Sequence, residues 1–215
     1  MAATNRYDLN NPRDLSAYYT EEEIASMDTE AQMEAWNKMW RNFCVSDTYE
    51  PGSTQKVFTV AAALEEGLSN GFEFHDCGGF KEVGGWRIRC VARNGHGPLT
   101  VEEGIMKSCN IVMMDLAAQM GRDRFSHYQE LFGFGSRTGI DLPGEADTKN
   151  LVYSVDRMGP TELATNSFGQ NYNCTMVQMA AAYCSIVNGG SYYEPHVVKQ
   201  IVNEQGAVVR KIEPK

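Results

Sequence analysis

The sequence lacks several features that would point to other kinds of protein. No Lys/Arg cluster is present, and the formal charge is −9 over 215 residues, which speaks against nucleic acid as a partner. No apolar run is long enough to cross a bilayer, and no secretory leader precedes the first charged residues, so the chain as written reads as soluble. Internal repeats and low-complexity linkers are missing too. The six cysteines, at 44, 77, 90, 109, 174 and 184, include no Cys-x-x-Cys pair, and the four histidines are scattered. Spacing therefore gives no support to a zinc site, and no cofactor is expected.

What is there suits a globular core, with 42% hydrophobic and 10% aromatic residues. Residues 1–19 are polar and read as a loop or arm. Thr20–Glu23, Thr29–Gln32 and Thr100–Glu103 each have the form of a capping box, and "TMVQ" opens another helix at 175. Met33, Trp36, Met39 and Trp40 recur at helical spacing, which predicts core packing. A helix is expected from Asn110 to a stop at Gly121, another over about 122–132, a long loop over 133–150 and a last helix over about 175–187. "VVKQIV" and "AVVRKI" around Asn203–Gly206 read as a hairpin. Cys77 and Cys90 flank a second hairpin, "GGFKEVGGWRI"; a disulfide could close its base, and small buried thiols are the alternative. The expected organisation is mostly helical with small β-hairpins. Residues 1–48 form an arm and helices, 49–190 a helical subdomain and 191–215 a hairpin segment.

Two short patterns carry chemistry. In "YEPGSTQKVFTVAAALEEG", Pro51-Gly52 forces a turn, so Ser53 lies at or next to the start of a strong helix, with Lys56 three residues on. Free N–H groups at a helix N-terminus favour negative charge on a nucleophilic oxygen there. Lys56 can take a proton only when neutral, which requires desolvation or a neighbouring cation. A helix-capping serine beside a solvated lysine fits these residues equally well. In "KSCN", Ser108 and Asn110 stand between two helices, where a hydroxyl and a carboxamide could face one cleft; Asn110 would serve as a helix cap as well.

"YEPGSTQKVFTVAAALEEG" resembles the active-site segment of penicillin-binding proteins, whose signature is S-x-x-K, S-x-N and K-[ST]-G. "GHGPLTVEEGIMKSCNIVMMDLA", "FGFGSRTGIDLPGE" and "SFGQNYNCTMVQMAAAYCSIVNGGSYYEPHVVKQI" resemble further landmarks of the family, class B members above all. The resemblance implies an α/β parent fold of helices around an antiparallel sheet. It also implies acyl transfer from D-Ala-D-Ala stem peptides, with Ser53 as nucleophile, Lys56 as base, Ser108 in proton transfer and Asn110 on the substrate amide. β-Lactams would act as covalent inhibitors. The parent would work with membrane wall-synthesis machinery, its catalytic domain outside the bacterial cytoplasmic membrane.

None of the eight lysines is followed by Ser-Gly or Thr-Gly. "RTG" at Arg137–Gly139 belongs to a loop landmark and does not substitute for the third motif. The resemblance thus marks the chain as a piece cut at both ends, without most of the central sheet and without an anchor, inactive alone and prone to self-association. Alternatives on the same fold are a β-lactam sensor or non-catalytic module, a D,D-carboxypeptidase and a serine β-lactamase. For the last, "GIDLPGEADTKN" offers Glu145 but not the deacylation pattern.

Overall fold

The computed structural model describes residues 7–215; the first six residues of the expected arm lie outside that range. Two short helices come first, α1 (Glu21–Ser26) and α2 (Thr29–Trp40). Thr20 and Glu23 form the expected reciprocal capping box. The α2 cap differs from expectation: Asp28 is the N-cap, its carboxylate accepting from Ala31 N at 2.8 Å, and Thr29 is already helical. A carboxylate beside the positive end of the helix is the stronger acceptor.

The expected core stripe on α2 is also corrected. Met39 is buried, but Met33 and Trp40 are exposed. Trp36 and Trp40 stack on each other and donate their indole N–H groups to the carbonyls of Arg13 and Pro12. That face holds the N-terminal arm against the helix, because an indole can cover apolar surface while its N–H finds a backbone acceptor.

After α3 (Phe43–Ser46), β1 (Thr48–Tyr49) and a 3-10 turn (Gly52–Gln55), α4 runs from Lys56 to Glu65. Next come β2 (Phe74–Cys77), the hairpin β3 (Phe80–Val83) and β4 (Trp86–Arg89), and β5 (Gly97–Thr100), which pairs antiparallel with β2. Thr100 caps α5 (Val101–Met106) through a capping box. A long helix, α6, covers Asn110–Leu131, yet Gly121 inside it has φ 76° and ψ 162°. The helical path therefore breaks where the stop was expected, a conformation only glycine adopts freely.

A helix not expected from the sequence, α7 (Pro160–Asn166), starts with proline at its first position, where the missing N–H costs nothing. Last come β6 (Cys174–Thr175), which pairs with β1, α8 (Met176–Val187) and the hairpin β7 (Gln200–Val202) with β8 (Val208–Lys211).

The main core lies between α4 and α6, with α5, α7, β2 and β5 around them; Ala63, Leu99, Val112, Met113, Leu116 and Ala117 are fully buried within it. Asp115 on α6 receives Lys81 from β3 and the Nδ1 side of His75 from β2 at 2.9 Å, tying the β layer to the helix. A second core surrounds Phe58, whose ring meets Phe132, Phe134 and Tyr183 at centroid distances of 4.8, 5.4 and 5.0 Å. The long loop before α7 is pinned by buried Gln178, which caps its own helix and donates to Thr148 Oγ1 at 2.7 Å.

All six cysteines are free and five are buried, so the Cys77–Cys90 disulfide considered above is not formed. Their burial matches the alternative of small apolar-like thiols. Phe58→Ala is expected to destabilise the chain by ~3–5 kcal/mol, since Phe58 is almost fully buried and a packed core relaxes only partly into the cavity left behind; urea unfolding measures the loss.

Candidate active site

The N-termini of α4 and α6 meet, and they carry the two sequence patterns with them. Pro51-Gly52 does produce a turn, but Ser53 lies inside the 3-10 segment rather than at a helix cap, and no side chain caps α4. Lys56, the first residue of α4, is buried, whereas Ser53 is exposed. One turn of helix points the lysine inward and leaves the serine hydroxyl at the surface.

Cys109, not Asn110, is the N-cap of α6. Ser108 precedes it with φ 53°, a left-handed conformation unusual outside glycine. That twist turns its hydroxyl toward α4. Lys56 Nζ donates to Ser108 O at 2.6 Å and to Ser108 Oγ at 2.8 Å. Ser108 Oγ in turn donates to Ser53 Oγ at 2.9 Å. The three expected residues thus form one hydrogen-bonded run, Lys56 to Ser108 to Ser53, with Ser108 between the lysine and the serine.

Asn110 diverges from this run. Its Nδ2 donates to the carbonyl of Arg89 at 3.0 Å, linking α6 to the end of β4. It also lines a groove of about 750 Å³ whose other walls include Trp86, Arg89, Thr165, Phe168 and Gln170. Asn171, which also lines the groove, has φ 64°, a left-handed conformation that asparagine tolerates.

Burial lowers the Lys56 pKa to about 8 from its usual value near 10.5, because the two hydrogen bonds to Ser108 replace only part of the water the ammonium loses. A lysine titrating there holds a large neutral fraction in mildly alkaline solution, as a proton acceptor requires.

The Ser53 turn is braced from the far side by the loop after α7. Gly52 N donates to Gly169 O at 2.8 Å, Asn171 N to Glu50 at 2.9 Å, and Thr59 Oγ1 to Ser167 O at 2.7 Å. Gly169 has φ 84°, and a Cβ there would collide with the backbone of Gly52. Sequence reasoning did not identify this bracing glycine; the only signal was its place in "SFGQ".

Against this geometry, the family model described as penicillin binding protein transpeptidase domain matches residues 3–215. The chain belongs to this family. Among curated relatives, it is 43% identical over 165 residues to stage V sporulation protein D of Bacillus subtilis, covering 76% of this chain and 25% of that protein. It is 31% identical over 159 residues to peptidoglycan D,D-transpeptidase FtsI of Escherichia coli, covering 74% of this chain and 26% of that one. Of solved structures, penicillin-binding protein 3 of Mycobacterium tuberculosis in complex with aztreonam superposes with a TM-score of 0.74 at 31% identity, over 81% of this chain and 38% of that one. The chain therefore spans about a quarter of the length of the curated relatives it matches.

These transpeptidase-domain neighbours bear out the α/β parent fold, within which the present chain contributes helices and small antiparallel strand pairs. Two other expectations can now be placed. Glu145 accepts from Thr138 N at 2.6 Å and from Gly139 N at 3.2 Å. It braces the very loop that contains the "RTG" decoy. No helix among the described residues is long and apolar enough to cross a membrane.

By ¹³C NMR of the lysine side chains, Lys56 is expected to titrate near 8, and a midpoint at the ordinary lysine value of 10.5 would contradict its burial. Gly169→Ala should lower stability by roughly 1–3 kcal/mol through forced backbone strain and shift the amide resonances of Gly52 and Ser53; unchanged resonances would sever Gly169 from the site.

Proposed function

We propose that the protein containing this chain is a peptidoglycan D,D-transpeptidase in which Ser53 is the acylated nucleophile. The observation that carries this reading is the hydrogen-bonded run from Lys56 through Ser108 to Ser53. With Lys56 protonated, the donors point from lysine toward Ser53. With Lys56 neutral the same run reverses: Ser53 donates to Ser108, and Ser108 donates to Lys56. Ser53 Oγ then attacks the carbonyl of the penultimate D-Ala of a stem peptide while its proton passes along the run. The C–N bond breaks, and the proton returns by the same path to the leaving D-Ala amine, with Ser108 next to the departing nitrogen. The amine of a neighbouring strand attacks the acyl-enzyme and restores Ser53.

Asn110, on the groove wall and fixed through Arg89, is suited to hold the substrate amide, and the groove has room for a peptide strand. The backbone N–H of Ser53 would supply one donor to the oxyanion. A second is expected from a Lys-Ser/Thr-Gly strand, which these 215 residues do not contain. Losing one such donor costs about a hundredfold or more in rate, so the 215 residues by themselves are not expected to turn over peptide. β-Lactams would acylate Ser53 as substrate mimics. By analogy with the whole relatives, the catalytic domain faces outward from the bacterial cytoplasmic membrane and works with membrane-bound wall-synthesis machinery.

Fluorescent penicillin and a thioester stem-peptide analogue, applied to the whole protein, test the reading. One label per chain, lost in Ser53→Ala, together with transfer that depends on an added amine, is the expected result. Lasting acylation without transfer would identify a β-lactam sensor, and rapid hydrolysis a β-lactamase; either replaces the transpeptidase reading. Glu145 is engaged with the Thr138–Gly139 backbone, which favours transfer over hydrolysis.

A further inference from the structure

The sequence shows no zinc-type spacing, yet the fold gathers four potential metal ligands. Cys77, Cys90, His96 and Cys109 converge so that their ligand atoms all lie within 4.8 Å of one another. They come from four places: the end of β2, the residue after β4, the loop before β5 and the turn before α6. Their order, Cys-x12-Cys-x5-His-x12-Cys, matches no short motif, and only the pairing of β2 with β5 and the packing of α6 bring them together.

The distances suit an ion. A tetrahedral site with Zn–S bonds of about 2.3 Å places its sulfurs about 3.8 Å apart. Cys90 Sγ lies 3.8 Å from Cys109 Sγ and 3.7 Å from His96 Nδ1. The three thiols are at most 1% exposed, and His96 is half-buried, so the imidazole closes the solvent side of a thiol-lined pocket. The backbone is shaped to allow this closure. Gly79 (φ 89°) and Gly95 (φ 84°) sit where a Cβ would strike the Arg93 carbonyl and the Cys77 carbonyl. Two glycines thus let the 93–97 loop close onto the end of β2 and carry His96 to the cysteines.

We propose that these four residues bind one zinc ion. Three thiolates and a neutral imidazole form a complete tetrahedral set, the donor chemistry of structural zinc and the softness that selects it over magnesium or calcium. Binding releases one proton from each of the three thiols and involves no change of oxidation state. With four protein ligands the site has no open position, so it anchors rather than reacts. Its target is Cys109, the central residue of Ser108-Cys109-Asn110. The ion would clamp that turn to β2 and to the end of β4, holding Ser108 in its left-handed conformation beside Lys56. Cys109, Cys90, Cys77 and His96 are therefore positioning residues.

The test needs no turnover and is independent of the acyl-transfer reading. The whole protein containing this chain is purified with reduced thiols in the presence of zinc and its metal content measured after desalting, beside its His96→Ala variant. One equivalent of zinc is expected, and cobalt in its place should show thiolate charge-transfer absorption with the strong visible bands of a tetrahedral site. His96→Ala, at a half-buried loop position, should weaken cobalt affinity at least about tenfold with circular dichroism unchanged. Chelation should lower the melting temperature by roughly 5 °C or more. A folded, reduced wild-type chain that binds neither zinc nor cobalt would overturn the proposal. So would peptide mapping that finds Cys90 and Cys109 joined as a disulfide in the freshly isolated chain, or a His96→Ala variant of unchanged affinity.

Discussion

A lysine amine held out of water at the junction of two helix N-termini is the constraint on which the rest of this structure depends. Lys56 is buried, and a buried ammonium without a carboxylate partner is costly unless hydrogen bonds compensate. The compensation comes from one residue, Ser108, through both its carbonyl and its hydroxyl. To present both, Ser108 adopts φ 53°, and this conformation in turn sets the start of α6. Desolvation moves the lysine toward its neutral form while the same contacts connect it to Ser53. Local strain, a shifted titration and the hydrogen-bonded run to Ser53 thus have a single origin in the burial of one amine.

The scaffold around that junction resists relaxation from several sides. The main core fixes the α4–α6 pair, with fully buried alanine, leucine and methionine side chains between the helices. The Phe58 ring cluster, two residues along from Lys56, fixes the rotation of α4. The Ser53 turn is supported at Gly52 by a glycine whose missing Cβ is what permits the approach. The same device recurs at Gly79 and Gly95, where close backbone contact brings a histidine to three cysteines. In both places glycine is used for proximity, which is why neither was evident from turn statistics.

The cysteine cluster and the hydrogen-bonded run from Lys56 to Ser53 share the S-x-N turn. Ser108 and Asn110 face different partners, Lys56 and Arg89, while Cys109 between them points into the protein beside Cys90. Consecutive residues of a short turn thereby face three separate partners. Displacing the middle residue would move both of its neighbours, so its environment bears on the site even though its sulfur does not touch Ser53.

The sequence by itself determined the family, the turn and helix that carry Ser53, and most helix boundaries, because those rest on local patterns: Pro-Gly before an apolar helix, reciprocal caps at Thr20, Thr100 and Thr175, and the break at Gly121. Local reading failed where a longer-range competitor took over. Asp28 displaced Thr29 as a cap, and the Trp36–Trp40 face was claimed by the N-terminal arm. Whether Ser53 was a cap or joined a hydrogen-bonded run could not be read from its own segment. That depended on Ser108, 55 residues away, being within 2.9 Å. Convergence of Cys77, Cys90, His96 and Cys109 was likewise invisible, since their spacing carries no periodicity and only strand pairing and helix packing bring them together. Backbone preferences act over a few residues and are legible in order; distances between side chains of separate elements are products of packing, and only the tertiary structure decided them.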